Sequence, residues 1–405
     1  MNRVAYVSTD PGVPVFGRKG ASVHVQAVVR ELLHRGAEVH LIAARVGGDL
    51  PRGLEGVVVH ELPTITGTPG PEREGSALRS ARAAADLLEG LHHETPLDLV
   101  YERYSLWSDA AMAWARRAGV AGVLEVNAPL IDEQAEHRVL ADRVGAEAIA
   151  RRAFEAADTV VAVSPPVAEW VRQRSPVEAN VHVVPNGVDT RYITPRGSLP
   201  LEEGAAREGG GFTVGFVGTL KPWHGVEVLL EAFARLARTD GATRLRLVGD
   251  GPQREALTEQ ALRLGVRDQV DLVGAVAPED MPSELATMDV AVAPYPELPD
   301  FYFSPLKIYE YLAAGLPVVA SDIGPISGLL DGGGLGVLVA PGDATELAAV
   351  LAGLRSDDRL RAELGQAGRQ AAVTRHDWTL VVSRILASIP TRAPSLADDL
   401  LGRIA

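Results

Sequence analysis

The sequence has 405 residues, more than a single hydrophobic core usually supports, and this length predicts two domains. Its hydrophobic share of 46% is that of an ordinary globular protein, and the absence of cysteine excludes disulfides, thiolate metal sites and a cysteine nucleophile. The net charge of −14 argues against nucleic acid as the main partner and against stable attachment to an anionic membrane. Because no signal peptide or membrane-length apolar run is present, we expect a cytoplasmic protein.

Short apolar runs alternate with helical segments along the chain, which is the pattern of a parallel α/β fold. The clearest helix begins near Gly20, because apolar residues recur at 25, 28, 29, 32 and 33 and form one buried stripe. Gly36 is predicted to end this helix as a C-cap glycine would. The strands predicted in the first half are 3–8, 38–43, 57–61, 97–102, 123–127, 159–163 and 181–184.

Residues 191–211 lack apolar periodicity and carry two prolines and three consecutive glycines, which predicts a linker. The alternation then restarts, with strands predicted at 212–217, 244–248, 270–272, 290–293 and 317–320. We therefore expect two doubly wound domains, 1–190 and 212–376, and a helical segment at 377–405. Because such sheets bind ligands beyond the carboxyl ends of their strands, functional residues are expected in the loops that follow strands.

Two glycine-bearing turns in the second half suit a phosphate group. Gly218 ends a predicted strand, and Lys221 and His224 add a cation and a second hydrogen-bond donor just before the next helix. Gly249 and Gly251 follow another strand and would allow a ligand to approach closely. Neither half of the chain contains the Gly-x-Gly-x-x-Gly dinucleotide fingerprint, which argues against an NAD-dependent enzyme.

A stronger signal lies in residues 301–321. Ser304 is predicted to be the N-cap of a helix and Pro305 to lie in its first turn, so that a helix N-terminus points at the preceding loop. Lys307 and Glu310 are three residues apart and share a face of this otherwise apolar helix. A cation for phosphate beside a carboxylate for ribose hydroxyls explains the pair better than a surface ion pair does.

In their order and spacing these loops resemble the C-terminal domain of the family-4 glycosyltransferases, which have the GT-B fold. The likeness covers nearly the whole chain: residues 184–189 look like the family's junction motif, and 249–252 and 310–317 look like its donor-binding segments. The resemblance implies two Rossmann-like domains facing across a cleft, with a C-terminal helix that crosses back to the first domain. It also implies a retaining enzyme that needs no metal or other cofactor and takes a nucleotide diphosphate sugar as co-substrate.

Carried over to this sequence, the resemblance implies that Lys221 and Lys307 are catalytic and stabilise the departing diphosphate. The implied donor-binding residues are Gly218, Thr219, His224, Gly249, Gly251, Phe303, Ser304, Pro305, Leu306 and Glu310. Three positions depart from the family pattern: Thr219 replaces the usual Arg, His224 replaces the usual Lys, and Tyr302 replaces the first Glu of the paired motif. That Glu normally contacts sugar hydroxyls, so the last change bears on the sugar preference.

The loop after the first strand, with Gly17 and Gly20, resembles the family's glycine-rich acceptor loop. His24 in the following helix lies off the apolar stripe and is predicted to face the cleft, where it would accept or orient the acceptor's hydroxyl proton. Arg103 and Asn127 follow two other strands at the same edge of the sheet. Arg103 suits an anionic acceptor group, and Asn127, at a position where many relatives have His, would orient the substrate.

These features predict the transfer of a sugar from a UDP- or GDP-sugar to a small or polar acceptor, with retention at the anomeric carbon. Two alternatives stay open at this point. A nucleotide-sugar epimerase on the same fold would need carboxylates or histidines at the sugar ring, and a binding protein that has lost catalysis would fit the unusual residues His24, Thr219 and Tyr302. The sequence does not name the sugar, the base, the acceptor or the oligomeric state.

Overall fold

A computed structural model of the protein describes residues 2–175, 180–197, 211–238 and 241–391. These residues form two compact units. The first unit comprises the residues up to Val184 and those from Val382 onward, and the second is Pro185–Val381. Most of the predicted linker 191–211 and the end of the predicted segment 377–405 lie outside the described residues.

The first unit contains a seven-stranded parallel sheet with the strand order β3-β2-β1-β4-β5-β6-β7. The strands are β1 (Arg3–Ser8), β2 (Glu38–Ala43), β3 (Val58–Glu61), β4 (Leu99–Arg103), β5 (Ala121–Val126), β6 (Thr159–Ala162) and β7 (Val181–Val183). The helices are α1 (Gly20–His34), α2 (Pro71–Glu94), α3 (Ala110–Ala118), α4 (Leu130–His137), α5 (Arg143–Ala156) and α6 (Pro165–Arg172). The strand order reverses between β1 and β4, which is where sheets of this kind bind ligands.

The second unit contains a six-stranded parallel sheet with the order β10-β9-β8-β11-β12-β13, and its switch point lies between β8 and β11. The strands are β8 (Thr213–Val217), β9 (Arg244–Val248), β10 (Val270–Gly274), β11 (Val290–Ala293), β12 (Val318–Ser321) and β13 (Val337–Val339). The helices are α7 (Val226–Ala237), α8 (Arg254–Leu264), α9 (Met281–Ala286), α10 (Leu306–Ala313), α11 (Ile326–Leu329), α12 (Ala344–Ser356), α13 (Asp358–Ala371) and α14 (Trp378–Ala387), whose residues from Val382 on belong to the first unit.

The predicted architecture of two doubly wound parallel sheets is confirmed, and every predicted strand exists within a few residues of its predicted bounds. Strand β13 was not predicted, because a three-residue strand is too short to show a pattern. Gly36 lies directly after the C-cap residue of α1 with a φ of +80°, and its N–H donates to Leu33 O at 2.9 Å, so the predicted helix end is confirmed. Within the described ranges, no helix is both long and apolar enough to cross a membrane.

Alternate residues of β11 pack on opposite faces of the second sheet. Val290 and Val292 belong to the core cluster that includes the buried residues of α7 and α12, whereas Ala291 and Ala293 belong to the cluster on the α10 side. The small alanine side chains leave room for the large side chains of α10, of which Tyr311 is fully buried. This alternation places α10 directly against the switch point.

The glycine loops after β8 and β9 lie against each other. Gly249 has a φ of +133°, and a Cβ on it would lie 1.9 Å from Gly218 O. A Cβ on Gly251 would lie 2.5 Å from Leu220 O, and Leu220 N–H donates to Asp250 O at 3.0 Å. These glycines are therefore required by a backbone contact between two loops, whereas the sequence analysis expected them to admit a ligand.

Gly249→Ala is expected to lower the free energy of unfolding by about 3 kcal/mol, because it adds a backbone clash to an unfavourable φ. Gly265→Ala is the matched control, since Gly265 also has a positive φ of +73° but no atom lies within 4 Å of where its Cβ would be. The control should lose about 1 kcal/mol. Urea denaturation measures both, and equal losses would contradict the loop contact.

Candidate functional site

Helix α10 carries the predicted donor residues to the switch point of the second sheet. Tyr311 OH accepts a hydrogen bond from Val217 N–H at 2.8 Å and donates to Val292 O at 3.4 Å. These bonds fix the helix against β8 and β11, the two strands that flank the switch point. The first turn of α10 therefore lies beside the loop that follows β8.

The ammonium group of Lys307 is buried beside this loop. A Cβ on Gly218 would lie 2.8 Å from Lys307 Nζ, which is 4.1 Å from the ring centroid of Phe216 and 5.3 Å from that of Tyr295. Lys307 is 8% exposed, and Nζ has no hydrogen-bond partner in the described part of the chain. Burial lowers the pKa of Lys307 to about 7, although Glu310 acts to raise it. A buried cation in these surroundings favours an anionic ligand.

Glu310 lies three residues further along α10 and is half-buried. Burial raises the pKa of its carboxyl group to about 7, against the opposite effect of Lys307. Both groups therefore change their charge near neutral pH. The charge of an incoming ligand then decides whether Lys307 is protonated.

The loop after β8 holds one cation and a histidine whose Nδ1 is already hydrogen-bonded. The ammonium group of Lys221 lies 5.1 Å from the ring centroid of Trp223. His224 Nδ1 donates to Thr219 O, and burial, together with the charge of Lys307, lowers the pKa of His224 to about 3. The neutral ring then has only an acceptor at Nε2. The N–H group of His224 is thus engaged by Thr219 O, and the Thr219 side chain is exposed.

Ser304 is not the N-cap of α10. The cap residue is Pro305, which the sequence analysis placed in the first turn, and no described side chain caps the helix. Ser304 Oγ instead accepts a hydrogen bond from Asn186 N–H at 3.1 Å and lies 3.0 Å from Tyr309 OH. The predicted cap is wrong because these two partners engage the hydroxyl group. The neighbouring donor residues Phe303 and Leu306 are half-buried.

In the first unit, the glycine loop before α1 is held by Gln26, which the sequence analysis did not single out. Gln26 Nε2 donates to Val15 O and to Gly17 O, both at 2.9 Å. A Cβ on Gly17 would lie 2.8 Å from the Pro14 side chain, so the fold of this loop requires glycine there. Gly20 is the exposed first residue of α1.

His24 is buried and paired with a carboxylate. It is 3% exposed, and its Nε2 lies 2.5 Å from Glu125 Oε1 on β5. Burial acts to raise the pKa of Glu125, but His24 and Arg103 outweigh burial and hold that pKa below its usual range. His24 was expected to lie off the apolar stripe of α1, and the structure nevertheless buries it, because its ring contacts Glu125 on the sheet. The signal for Glu125 was a carboxylate inside the apolar run 123–126.

The other predicted acceptor-side residues lie around the same carboxylate. Arg103 is the register partner of Glu125, and Asn127 Nδ2 lies 3.5 Å from Glu125 Oε1. The rings of Tyr6 and Tyr101 stack with centroids 5.2 Å apart on the neighbouring strands. Because parallel sheets are usually apolar on both faces, this polar group at the switch point of β1 and β4 marks a candidate binding site.

Comparison with known proteins gives a match for each unit. The family model described as Glycosyltransferase Family 4 matches residues 18–192, and the one described as Glycosyl transferases group 1 matches residues 211–357. The chain is 30% identical to D-inositol 3-phosphate glycosyltransferase from Nocardia farcinica over 396 residues, which cover 89% of this chain and 83% of that one. It is 34% identical to phosphatidyl-myo-inositol mannosyltransferase from Mycolicibacterium smegmatis over 228 residues, 56% of this chain and 55% of that enzyme.

Solved structures share the fold at lower identity. Sucrose-phosphate synthase from Thermosynechococcus elongatus has a TM-score of 0.70 at 18% identity, and the match covers 100% of both chains. HepE from Anabaena, solved in complex with UDP and glucose, has a TM-score of 0.67 at 22% identity, covering 96% of this chain and 99% of that one. The GT-B fold expected from the sequence is confirmed by this likeness.

Glu125→Gln is expected to lower the free energy of unfolding at neutral pH by about 3 kcal/mol, because it removes one partner of a buried ion pair. The pKa of Glu125 is lowered in the folded protein, so its stabilising effect is present above the unfolded value of about 4.3 and disappears as the pH falls. The difference between variant and wild type should therefore shrink in acid. Thermal unfolding across pH measures it, with the exposed Glu136→Gln as control. A constant difference at all pH values would contradict the ion pair.

Proposed function

The chain belongs to the family-4 glycosyltransferases, and on this premise we propose that it transfers a sugar from a UDP- or GDP-sugar to a small or polar acceptor with retention at the anomeric carbon. One observation carries the donor part of this proposal. The Lys307 ammonium group is buried beside Gly218 at the start of α10, with no hydrogen-bond partner among the residues that the structure describes. A diphosphate is the ligand whose charge fits this group.

The proposed chemistry follows from where charge develops. When the bond between sugar and diphosphate breaks, the departing nucleoside diphosphate gains negative charge. Lys307 and the amino-terminal N–H groups of α10 stabilise that charge, with Lys221 as a second cation. Glu310 accepts hydrogen bonds from the ribose hydroxyls. The proposal needs no metal ion, because these groups supply the positive charge.

The acceptor is proposed to bind at the polar group around Glu125. The names of the two relatives above both include an inositol group, as D-inositol 3-phosphate and as phosphatidyl-myo-inositol. A polyhydroxylated acceptor with an anionic group would suit Arg103 and Asn127 at the carboxyl ends of their strands. His24, held by Glu125, is proposed to orient the attacking hydroxyl.

Thermal unfolding of the purified protein with UDP, GDP, ADP, dTDP or NAD, in the presence of EDTA, tests the donor. One nucleoside diphosphate is expected to raise the melting temperature, since binding to the folded state alone stabilises it. Its sugars can then be screened against polyol acceptors, and proton NMR of the first product reports retention from the anomeric coupling constant. If no diphosphate stabilises the protein, the proposed donor site is refuted.

Lys307→Met is expected to weaken binding of that diphosphate about 10- to 100-fold, because a charge-assisted hydrogen bond contributes about 1.5–3 kcal/mol. The chain has three lysines, so the exposed Lys19 of the first unit provides the control Lys19→Met, which should bind as the wild type does. Calorimetric titration measures all three proteins. Wild-type affinity in the Lys307 variant would remove this residue from the site.

The affinity of the wild type for the diphosphate is expected to fall as the pH rises through about 7. The pKa of Lys307 is about 7, and only the protonated amine attracts the diphosphate. Binding at about pH 8 should therefore take up a proton, which titration in buffers of different ionisation enthalpy detects. Lys307→Met should lose this uptake, whereas Glu310→Gln should keep it.

A further inference from the structure

The loop that leads into α10 is fixed by a residue far away in the sequence. Asn186 lies 118 positions before Ser304 and makes two hydrogen bonds with it. The backbone N–H of Asn186 donates to Ser304 Oγ at 3.1 Å, and its Nδ2 donates to the carbonyl oxygen of Ser304 at 2.7 Å. Both the side chain and the backbone of Ser304 are thus held by one residue, directly before the cap residue Pro305.

Asn186 is itself held in place by the chain that follows it. Val188 N–H donates to His376 O at 2.9 Å, and Trp378 N–H donates to Val188 O at 3.1 Å. A Cβ on Gly187 would lie 2.8 Å from the Trp378 ring, so only glycine leaves room for this contact. Asn186 therefore cannot move without shifting the backbone that pairs with residues 376–378.

The same segment also holds the other end of α10. The guanidinium group of Arg369 donates to Ile193 O at 2.9 Å, to Thr190 O at 2.9 Å and to the O of Ala313, the last residue of α10, at 2.8 Å. Segment 186–193 is thus linked to both ends of α10, through Asn186 to the loop before the helix and through the bridging Arg369 of α13 to its last residue. The direction of the helix depends on this segment as well as on the sheet beneath it.

An asparagine at position 186 lowers the stability of the fold relative to an aliphatic residue. Asn186 is 8% exposed, and its Oδ1 has no hydrogen-bond partner within the described ranges. Burial of such an oxygen costs about 1–3 kcal/mol, which an aliphatic side chain would avoid. An aliphatic residue would, however, leave the Ser304 carbonyl without its donor.

We propose that Asn186 is a positioning residue of the donor site. By holding Ser304 at two points, it sets the direction of the first turn of α10 and so keeps Lys307 Nζ beside Gly218. The inference rests on the proposed function, since Lys307 would act on the donor diphosphate. Because the chain enters the second unit at Pro185, binding at α10 would also reach this point of entry through Asn186.

The test compares Asn186→Asp with the wild type in calorimetric titration with UDP and GDP. Asp keeps the size and the backbone N–H of Asn but places a second acceptor against Ser304 O. The Kd of the nucleotide that binds the wild type is expected to rise about 10-fold or more, and kcat to fall. Asn186→Ala, which removes the donor without adding repulsion, should have a smaller effect. Wild-type affinity in both variants would overturn the proposal.

Thr190→Val is the matched control for general loosening of the segment. Thr190 Oγ1 bonds to Asp377 rather than to Ser304, so its loss weakens segment 186–193 without touching the loop before α10. The Kd of this variant is expected to stay within about 2-fold of the wild-type value, well short of the tenfold rise expected for Asn186→Asp. A loss as large as that of Asn186→Asp would show that any weakening of the segment suffices, and would overturn the specific role of Asn186.

Hydrogen–deuterium exchange without nucleotide tests the positioning role of Asn186 independently of the proposed function. In Asn186→Asp, the amides of 301–309 should exchange about 10-fold faster than in the wild type, while those of α7 stay unchanged. If the wild type binds neither UDP nor GDP, the proposed donor is refuted, and exchange still decides whether Asn186 fixes α10. Unchanged exchange at 301–309 would overturn the positioning role.

Discussion

The second unit depends on a buried cation, Lys307, that has no hydrogen-bonded anion in the described part of the chain. Lys307 Nζ lies over the Phe216 ring and close to Tyr295, and these faces offset part of the loss of water. Glu310 is near enough to oppose the fall in the pKa of Lys307, yet both groups still titrate near 7. The site is therefore balanced between charge states until an anion binds. This ammonium group is held in place by the packing of α10, by the turn at Gly218, which has no side chain, and by the fixed loop before the helix.

The two units bury groups of opposite charge, Glu125 in the first and Lys307 in the second. In the first unit, Glu125 Oε1 lies beside His24 Nε2 and Asn127 Nδ2, whereas its Oε2 has no hydrogen-bond partner among the described residues. In the second unit, Lys307 Nζ has no hydrogen-bond partner among the residues that the structure describes. A preformed polar site suits an acceptor hydroxyl that must be oriented, whereas an unsatisfied cation suits a leaving group whose negative charge grows during the reaction. This contrast agrees with the proposed division of acceptor and donor between the units.

Backbone contacts make the proposed donor site rigid. The loops after β8 and β9 touch through Gly218 and Gly249, where no side chain fits. Asn186 donates to the loop before α10, and Arg369 donates to the last residue of α10. These contacts already order the groups that would meet a ligand. Binding therefore costs the protein little conformational entropy. The specificity for sugar and base would then depend on the side chains that project from this frame, such as Tyr302 and Phe303.

The sequence by itself determined the two parallel sheets, nearly all of their strands and the position of α10, because strand alternation and helix periodicity are local patterns. The sequence also identified Lys307 and Glu310 as candidate site residues, because a cation and a carboxylate are unusual in an otherwise apolar helix. Only the tertiary structure decided that Ser304 bonds to Asn186 instead of capping α10, and that His24 turns inward to Glu125. It also decided that Gly249 is required by Gly218. Each of these is a contact between segments far apart in the chain, and no local pattern encodes which distant partner will compete for a hydroxyl, a ring nitrogen or the space beside a glycine.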